Sequence, residues 1–185
     1  MYAEIVILAM LRQRPQHGYE IKKGIEQVFG GTVALNNTIL YPTLKRFEEM
    51  GAVVRQVVQQ EGKPNRHIYH LTERGIELLH ASLCDFPPEQ AANEAEFFTR
   101  AAFFAYLEVP EREVILTRRL AYLGGCLSYL QTMQHMADAE DSEDCAPTMG
   151  ISMSHAQRVL AFHTRRIRDE YEWIASWLEE MQTNR

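Results

Sequence analysis

Between residues 52 and 72 the helical rhythm of the chain breaks, and that break constrains the fold most. "AVVRQVVQQ" (52–60) is β-branched, "EGKPN" (61–65) gathers the Gly, Pro and Asn of a turn, and "RHIYHLT" (66–72) is β-branched and aromatic again. The pattern predicts a strand, a turn and a returning strand. A lone hairpin is marginal in water, so the helices around it must supply its core.

Three helices are predicted ahead of the hairpin. Residues 3–12 are apolar nearly all round, which predicts a helix buried on most sides. Arg14-Pro15 ends it, because proline disfavours helix in the residue before it. A second helix runs from about His17 to Phe29, with Tyr19, Ile21, Ile25 and Val28 on a rough stripe and Gly30-Gly31 as its stop. The third lies in "LNNTILYPTLKRFEEMG" (35–51), where Leu40, Leu44 and Phe47 follow i, i+4, i+7 and Gly51 closes the run. Its start stays open between two readings. With Asn37 as cap, Pro42 is the fifth helical residue and removes a backbone hydrogen bond, at a cost near ~3 kcal/mol in a helix interior. With Tyr41 as cap, Pro42 becomes the first helical residue, where proline fits well. Either start makes the first turn irregular.

After the hairpin, Thr72 caps a fourth helix that reaches about Leu83. Three helices, a hairpin with a basic tip and another helix are the order of a winged helix-turn-helix domain, assigned to residues 1–84. "CDFPPEQ" (84–90) reads as a linker. Three helices are expected beyond it, roughly 89–108, 111–137 and 152–182, in a C-terminal helical domain of residues 85–185. Leu116, Leu120, Leu123, Leu127 and Leu130 step 4, 3, 4, 3 along the second. Leu160, Ile167, Ile174 and Met181 repeat every seven along the third, with Tyr171 and Leu178 between them. Both rhythms suit antiparallel or coiled-coil packing. The chain is therefore mainly α, and the tail seam (Leu160, Ile167, Tyr171, Ile174, Leu178, Met181) predicts a dimer contact. Ile5 and Leu8 are added to that contact, because a small domain would struggle to cover the first helix alone. The acidic stretch "DAEDSEDCAPTMG" (138–150) lacks the ligand order of a calcium loop and reads as a solvated connection.

Charge separates the two halves. Residues 1–80 carry ten Lys and Arg against eight Asp and Glu, a balance of +2, and residues 81–185 carry nine against seventeen, or −8, which together give the chain's −6. The first part can approach a polyanion and the second should face elsewhere. No apolar run nears the ~20 residues of a membrane span, and Met1-Tyr2-Ala3-Glu4 lacks the basic start of a signal peptide. Three cysteines (Cys84, Cys126, Cys145) are an odd number without CxxC spacing. A disulfide framework, a metal site and a cofactor are not expected, and a reducing cytoplasm is the simplest location.

Around the third helix, Thr38, Tyr41 and Lys45 fall opposite the Leu40/Leu44/Phe47 face, flanked by Asn37 and Arg46. These amide, hydroxyl, phenol and cationic groups suit base edges and phosphates in a major groove. Lys63 and Arg66 at the hairpin tip suit neighbouring phosphates or the minor groove. His17 and Tyr19 add a contact at the start of the second helix. Taken singly, each of these residues would more often be plain surface; their order within eighty residues carries the reading. Phe97, Phe98, Phe103, Phe104 and Tyr106 could line an aromatic-effector pocket, although core packing outweighs that reading about three to one because aromatics dominate such contacts. His135, His155, His163, Cys126 and Cys145 lack close ligand spacing.

On "ILAML…P.HGYEIKKGIE", "NNTILYPTLKRFEEMGAV" and "GKPNRHIYHLTERG" the chain resembles the PadR family of bacterial transcriptional regulators, over nearly all of residues 3–80. The helical remainder resembles the longer-tailed branch of that family. The resemblance implies a homodimer with two winged domains, with Asn37, Thr38, Tyr41, Pro42 and Lys45 at double-stranded DNA and Lys63 and Arg66 in the wing. It also implies repression, often relieved by an aromatic or drug-like small molecule. The wing departs from the family pattern in carrying Asn65 and His67 where relatives often place basic residues. A two-fold dimer would set two recognition helices about 34–36 Å apart on a pseudo-palindrome. Two other classes compete: a winged-helix protein–protein adaptor that never touches DNA, favoured by the modest +2, and an enzyme, for which no catalytic arrangement stands out.

Overall fold

A computed structural model of the chain describes residues 2–29, 35–59, 66–139 and 153–183. Among the described residues, seven α-helices and three strands run in the order α1 (Tyr2–Gln13), β1 (Gln16–His17), α2 (Gly18–Phe29), α3 (Asn37–Glu49), β2 (Val53–Val58), β3 (Arg66–Leu71), α4 (Glu73–Cys84), α5 (Glu94–Ala102), α6 (Val109–Ala139) and α7 (Met153–Thr183). Short 3-10 turns flank α5 at Pro88–Ala92 and Phe104–Tyr106. The chain forms two compact units, Met1–Arg112 and Glu113–Arg185.

In the first unit α1 is the hub. It packs against α2, α3, α4, α5 and β3, and its run from Ile5 to Leu11 is buried. This corrects the expectation for Ile5 and Leu8: both are fully covered by elements of their own chain, so neither is left to face a partner. Part of that cover comes from α5. Read from sequence, the chain divides after residue 84; by packing, residues 85–112 lie in the first unit.

The hairpin is antiparallel, with Val53 opposite Leu71 and Val58 opposite Arg66. A third, two-residue strand was not foreseen: β1 pairs with β3, placing Gln16 opposite Tyr69 and His17 opposite Ile68. Two residues are too few to leave a period. The hairpin tip at 60–65, with Lys63 and Asn65, lies outside the described residues. So do Gly30-Gly31 and most of the acidic stretch, including Cys145.

Two junctions fix the hairpin. Helix α3 ends with Gly51 at φ 70°, a conformation that suits glycine. The N–H groups of Ala52 and Gly51 donate to the carbonyls of Phe47 (2.8 Å) and Glu48 (3.0 Å), the paired bonds that close a helix around a left-handed residue. At the other end, Thr72 Oγ1 accepts from the N–H of Gly75 at 3.1 Å, the expected cap of α4.

The segment expected as one helix over 89–108 is instead a 3-10 turn, the nine-residue α5 and a second 3-10 turn. Arg100, fully buried, organises it. Its guanidinium donates to Glu96 Oε2 (2.6 Å) and to the carbonyls of Glu96 (2.9 Å) and Asp85 (2.6 Å), and lies over the Phe86 ring at 5.0 Å. Glu96 Oε1 accepts the Tyr2 N–H at 3.0 Å. One ion pair thus ties the end of α4, the start of α1 and α5 together.

The aromatic residues named for an effector pocket belong to this packing. Phe97, Phe103 and Phe104 are buried, Phe98 meets the Phe97 ring edge-on at 5.2 Å, and Tyr106 stacks on Phe103 at 6.3 Å. Tyr106 also borders an opening of ≈ 290 Å³, shared with Arg12, His80 and Arg112.

In the second unit α6 and α7 are joined by an ion pair of Arg119 with Glu170 at 2.7 Å, almost wholly buried on the arginine side. Ile174 of the heptad seam is fully buried, whereas Leu160, Ile167, Tyr171, Leu178 and Met181 are half-covered. An open apolar groove of ≈ 990 Å³ runs between the helices, past Tyr122, Cys126, Tyr129, Val159, Leu160 and Ile167. Among the described residues, no helix is long and apolar enough to cross a membrane.

Candidate nucleic-acid interface

The site is built on α3. Asn36, not Asn37 or Tyr41, caps the helix: its Oδ1 accepts from the N–H of Ile39 at 3.0 Å and from Thr38 Oγ1 at 2.6 Å. Pro42 is therefore the sixth helical residue, inside the helix. Lacking an N–H, it cannot give Thr38 the donor that a helix normally supplies to the carbonyl four residues back. Leu40, Leu44 and Phe47 are buried as expected and anchor the inner face.

On the outer face Asn37, Thr38, Tyr41, Pro42, Lys45 and Arg46 are all exposed. Lys45 is loosely held, with Glu49 Oε1 at 3.8 Å and most of its side chain in solvent. Arg46 is less available, because its guanidinium pairs with Glu4 of α1 and lies against the Phe47 ring at 5.6 Å. A phosphate would have to compete with that pair.

Tyr41 sits in a second feature. Its ring lies against Gly18, the first residue of α2, so closely that a Cβ there would stand 2.9 Å from Tyr41 Cε1. Around the two opens a concavity of ≈ 540 Å³ lined by His17, Tyr19, Glu20, Tyr41, Arg66 and Tyr69, among others. Four of the residues chosen from sequence, His17 of β1, Tyr19 of α2, Tyr41 of α3 and Arg66 of β3, thus meet in one place. His17 is less mobile than a helix-start residue need be: its Nδ1 donates to the His67 carbonyl at 2.9 Å, and its N–H donates to Glu20 Oε2 at 2.9 Å. Tyr19 is well exposed, at 70%. Burial, followed by the charge of Glu48, raises the Tyr69 phenol above its ordinary value, so it stays a neutral donor. His67 also borders the concavity, and its Nδ1 is buried with no hydrogen-bond partner among the described residues. Sequence reasoning passed over Gly18, Tyr69 and His67 as site residues. The signal for Gly18 is its place directly before Tyr19 at a helix start.

Residues 7–81 match the model of the "Transcriptional regulator PadR-like family". A curated relative, the "Negative transcriptional regulator PadR" of Bacillus subtilis (strain 168), is 27% identical over 177 residues, spanning 95% of this chain and 92% of the relative. Among solved structures, Bacillus subtilis PadR in complex with operator DNA is 25% identical, with 98% of this chain and 99% of that chain covered and a TM-score of 0.46. The same regulator with p-coumaric acid is 23% identical, with 98% and 96% covered and a TM-score of 0.40. The match falls on the winged unit that carries α3, the hairpin and the capped α4, so that it is this part of the chain that is similar to the PadR-like family of transcriptional regulators.

Proposed function

We propose that the chain is a homodimeric, cytoplasmic repressor that binds a pseudo-palindromic stretch of duplex DNA through α3. The observation that carries this reading is the division of α3 into a sealed face (Leu40, Leu44, Phe47) and an exposed face bearing Thr38, Tyr41 and Lys45. Tyr41 and the helix start read base edges, Lys45 and Arg66 meet phosphates, and Lys63 extends the contact from the wing tip. His17, Tyr19 and Asn37 border the same surface. Repression follows the curated relative, a negative regulator. An adaptor that ignores DNA gives no reason for the polar groups to gather from α2, α3 and β3 around Tyr41.

Dimerisation through the tail is supported by the groove between α6 and α7, which leaves Tyr129 and Val159 more than half exposed. A second copy of the same helix pair is the occupant this reading commits to, since the heptad seam of α7 repeats in each copy. Release by an aromatic small molecule completes the proposal.

The test is binding to sequences selected from random DNA, across a range of salt. Affinity should fall steeply with salt. Tyr41→Ala should lose about 1–3 kcal/mol and relax the base preference, and Lys45→Ala should lower the salt slope by about one. Binding that survives both changes with unaltered slope and sequence preference would sink the reading. Titration of the complex with phenolic acids tests the effector.

A further inference from the structure

A cluster unrelated to α3 lies where α4 ends and α6 begins, within the first unit. His80 and Cys84 stand one turn apart on α4, and Glu111 belongs to the first turn of α6. His80 Nε2 is 3.0 Å from Glu111 Oε1, Cys84 Sγ is 3.4 Å from the same oxygen, and Sγ lies 3.9 Å from the imidazole nitrogens. Nitrogen, sulfur and oxygen donors from two helices therefore converge within 4.8 Å of one another.

These edges fit one ion. With bonds of about 2.3 Å to sulfur and about 2.0–2.1 Å to nitrogen and oxygen, a tetrahedral centre holds such donors about 3.3–3.6 Å apart. The three edges here depart from that by a few tenths of an ångström, a shift that small side-chain rotations supply. The Glu111 carboxylate is held in place: Oε2 accepts the N–H of Glu108 at 2.8 Å and lies 3.2 Å from His80 Nε2, while Oε1 faces both His80 and Cys84. An oxygen fixed by a neighbour in this way is the usual state of a metal-binding carboxylate. His80 is half-exposed, so an ion from solvent can reach the cluster.

We propose that His80, Cys84 and Glu111 bind a thiophilic divalent cation of the zinc(II) class, with the fourth position left to water or a small ligand. The mixed donor set selects zinc or cobalt over magnesium or calcium, which require oxygen donors. Without an ion, burial pushes the Cys84 thiol up to about 11, with the Glu111 acceptor and its charge as further causes. The thiol proton thus rests between Cys84 and Glu111, and on coordination it passes to solvent as the sulfur–metal bond forms. The alternative is a plain hydrogen-bonded triad that never holds a metal. Three chemically different donors at tetrahedral spacing on two separate helices favour the ion.

The test is a cobalt(II) titration of the reduced full-length protein, needing neither DNA nor effector. We expect a near-ultraviolet sulfur-to-cobalt charge-transfer band with the visible bands of tetrahedral cobalt, all erased by zinc(II). Cys84→Ser should abolish the charge-transfer band. His80→Ala, which alters a half-exposed side chain and leaves the helical circular dichroism unchanged, should weaken cobalt binding by about tenfold or more. The double variant Cys126→Ser/Cys145→Ser should keep the band. A wild-type protein without the band, a band that persists in Cys84→Ser, or its loss in the double variant overturns the assignment.

Discussion

Gly18 and Tyr41 touch at a distance that leaves no room for a methyl group. Gly18→Ala should therefore push the Tyr41 ring out of its seat. The ring is the far end of a flexible side chain, so the fold should survive; the expected result is an unchanged thermal transition with weaker, less selective DNA binding, short of the loss in Tyr41→Ala. Pro42 gives the opposite pair of signs. Pro42→Ala returns an N–H to the α3 backbone and should raise stability by up to about 3 kcal/mol, while regularising a turn that the proposed DNA contact uses, so melting temperature rises as affinity falls. The sealed face of α3 was legible from Leu40, Leu44 and Phe47, and its end from Gly51. Its start was not, because adjacent asparagines are equivalent as letters and differ only in that Asn36 reaches the Ile39 N–H.

At the scale of elements, α5 shows what local pattern omits. The hairpin and the Thr72 cap are written in neighbouring residues, and both stand as expected. The return of α5 onto α1 depends on Arg100 meeting carbonyl and carboxylate groups up to eighteen residues away, and on Glu96 meeting Tyr2 across ninety-four. No period marks such contacts, so the aromatic run 97–106 could be read as pocket or as core. The ion pair is testable by acid. Burial alone would raise the Glu96 carboxyl, but the Arg100 guanidinium and the Tyr2 N–H outweigh it and hold the group below its ordinary 4.5. A depressed folded value means that this contribution is complete above 4.5 and is lost as pH falls through the lower folded value. Thermal melts should fall across that acid range and do so less steeply in Glu96→Gln. Glu96→Ala at neutral pH should cost about 3–5 kcal/mol, because it strands a buried cation.

At the scale of the molecule, pairing of two copies is expected to govern affinity. Val159→Glu places a charge on the exposed wall of the α6–α7 groove. In sedimentation it should yield single chains, and operator affinity should fall by roughly 10²–10⁴, the advantage of two tethered sites over one, with the winged unit still folded. The charge imbalance between the halves points to a split of roles, but does not mark the residue at which packing divides the chain. That division falls after Arg112, within α6 rather than in a loop. A gene shortened to end there would keep a single turn of α6, too little to hold helical shape unaided, and Glu111 would come adrift from His80 and Cys84. The winged unit therefore has no clean carboxyl terminus of its own: whatever evolution grafts onto or prunes from the tail must begin well beyond the seam.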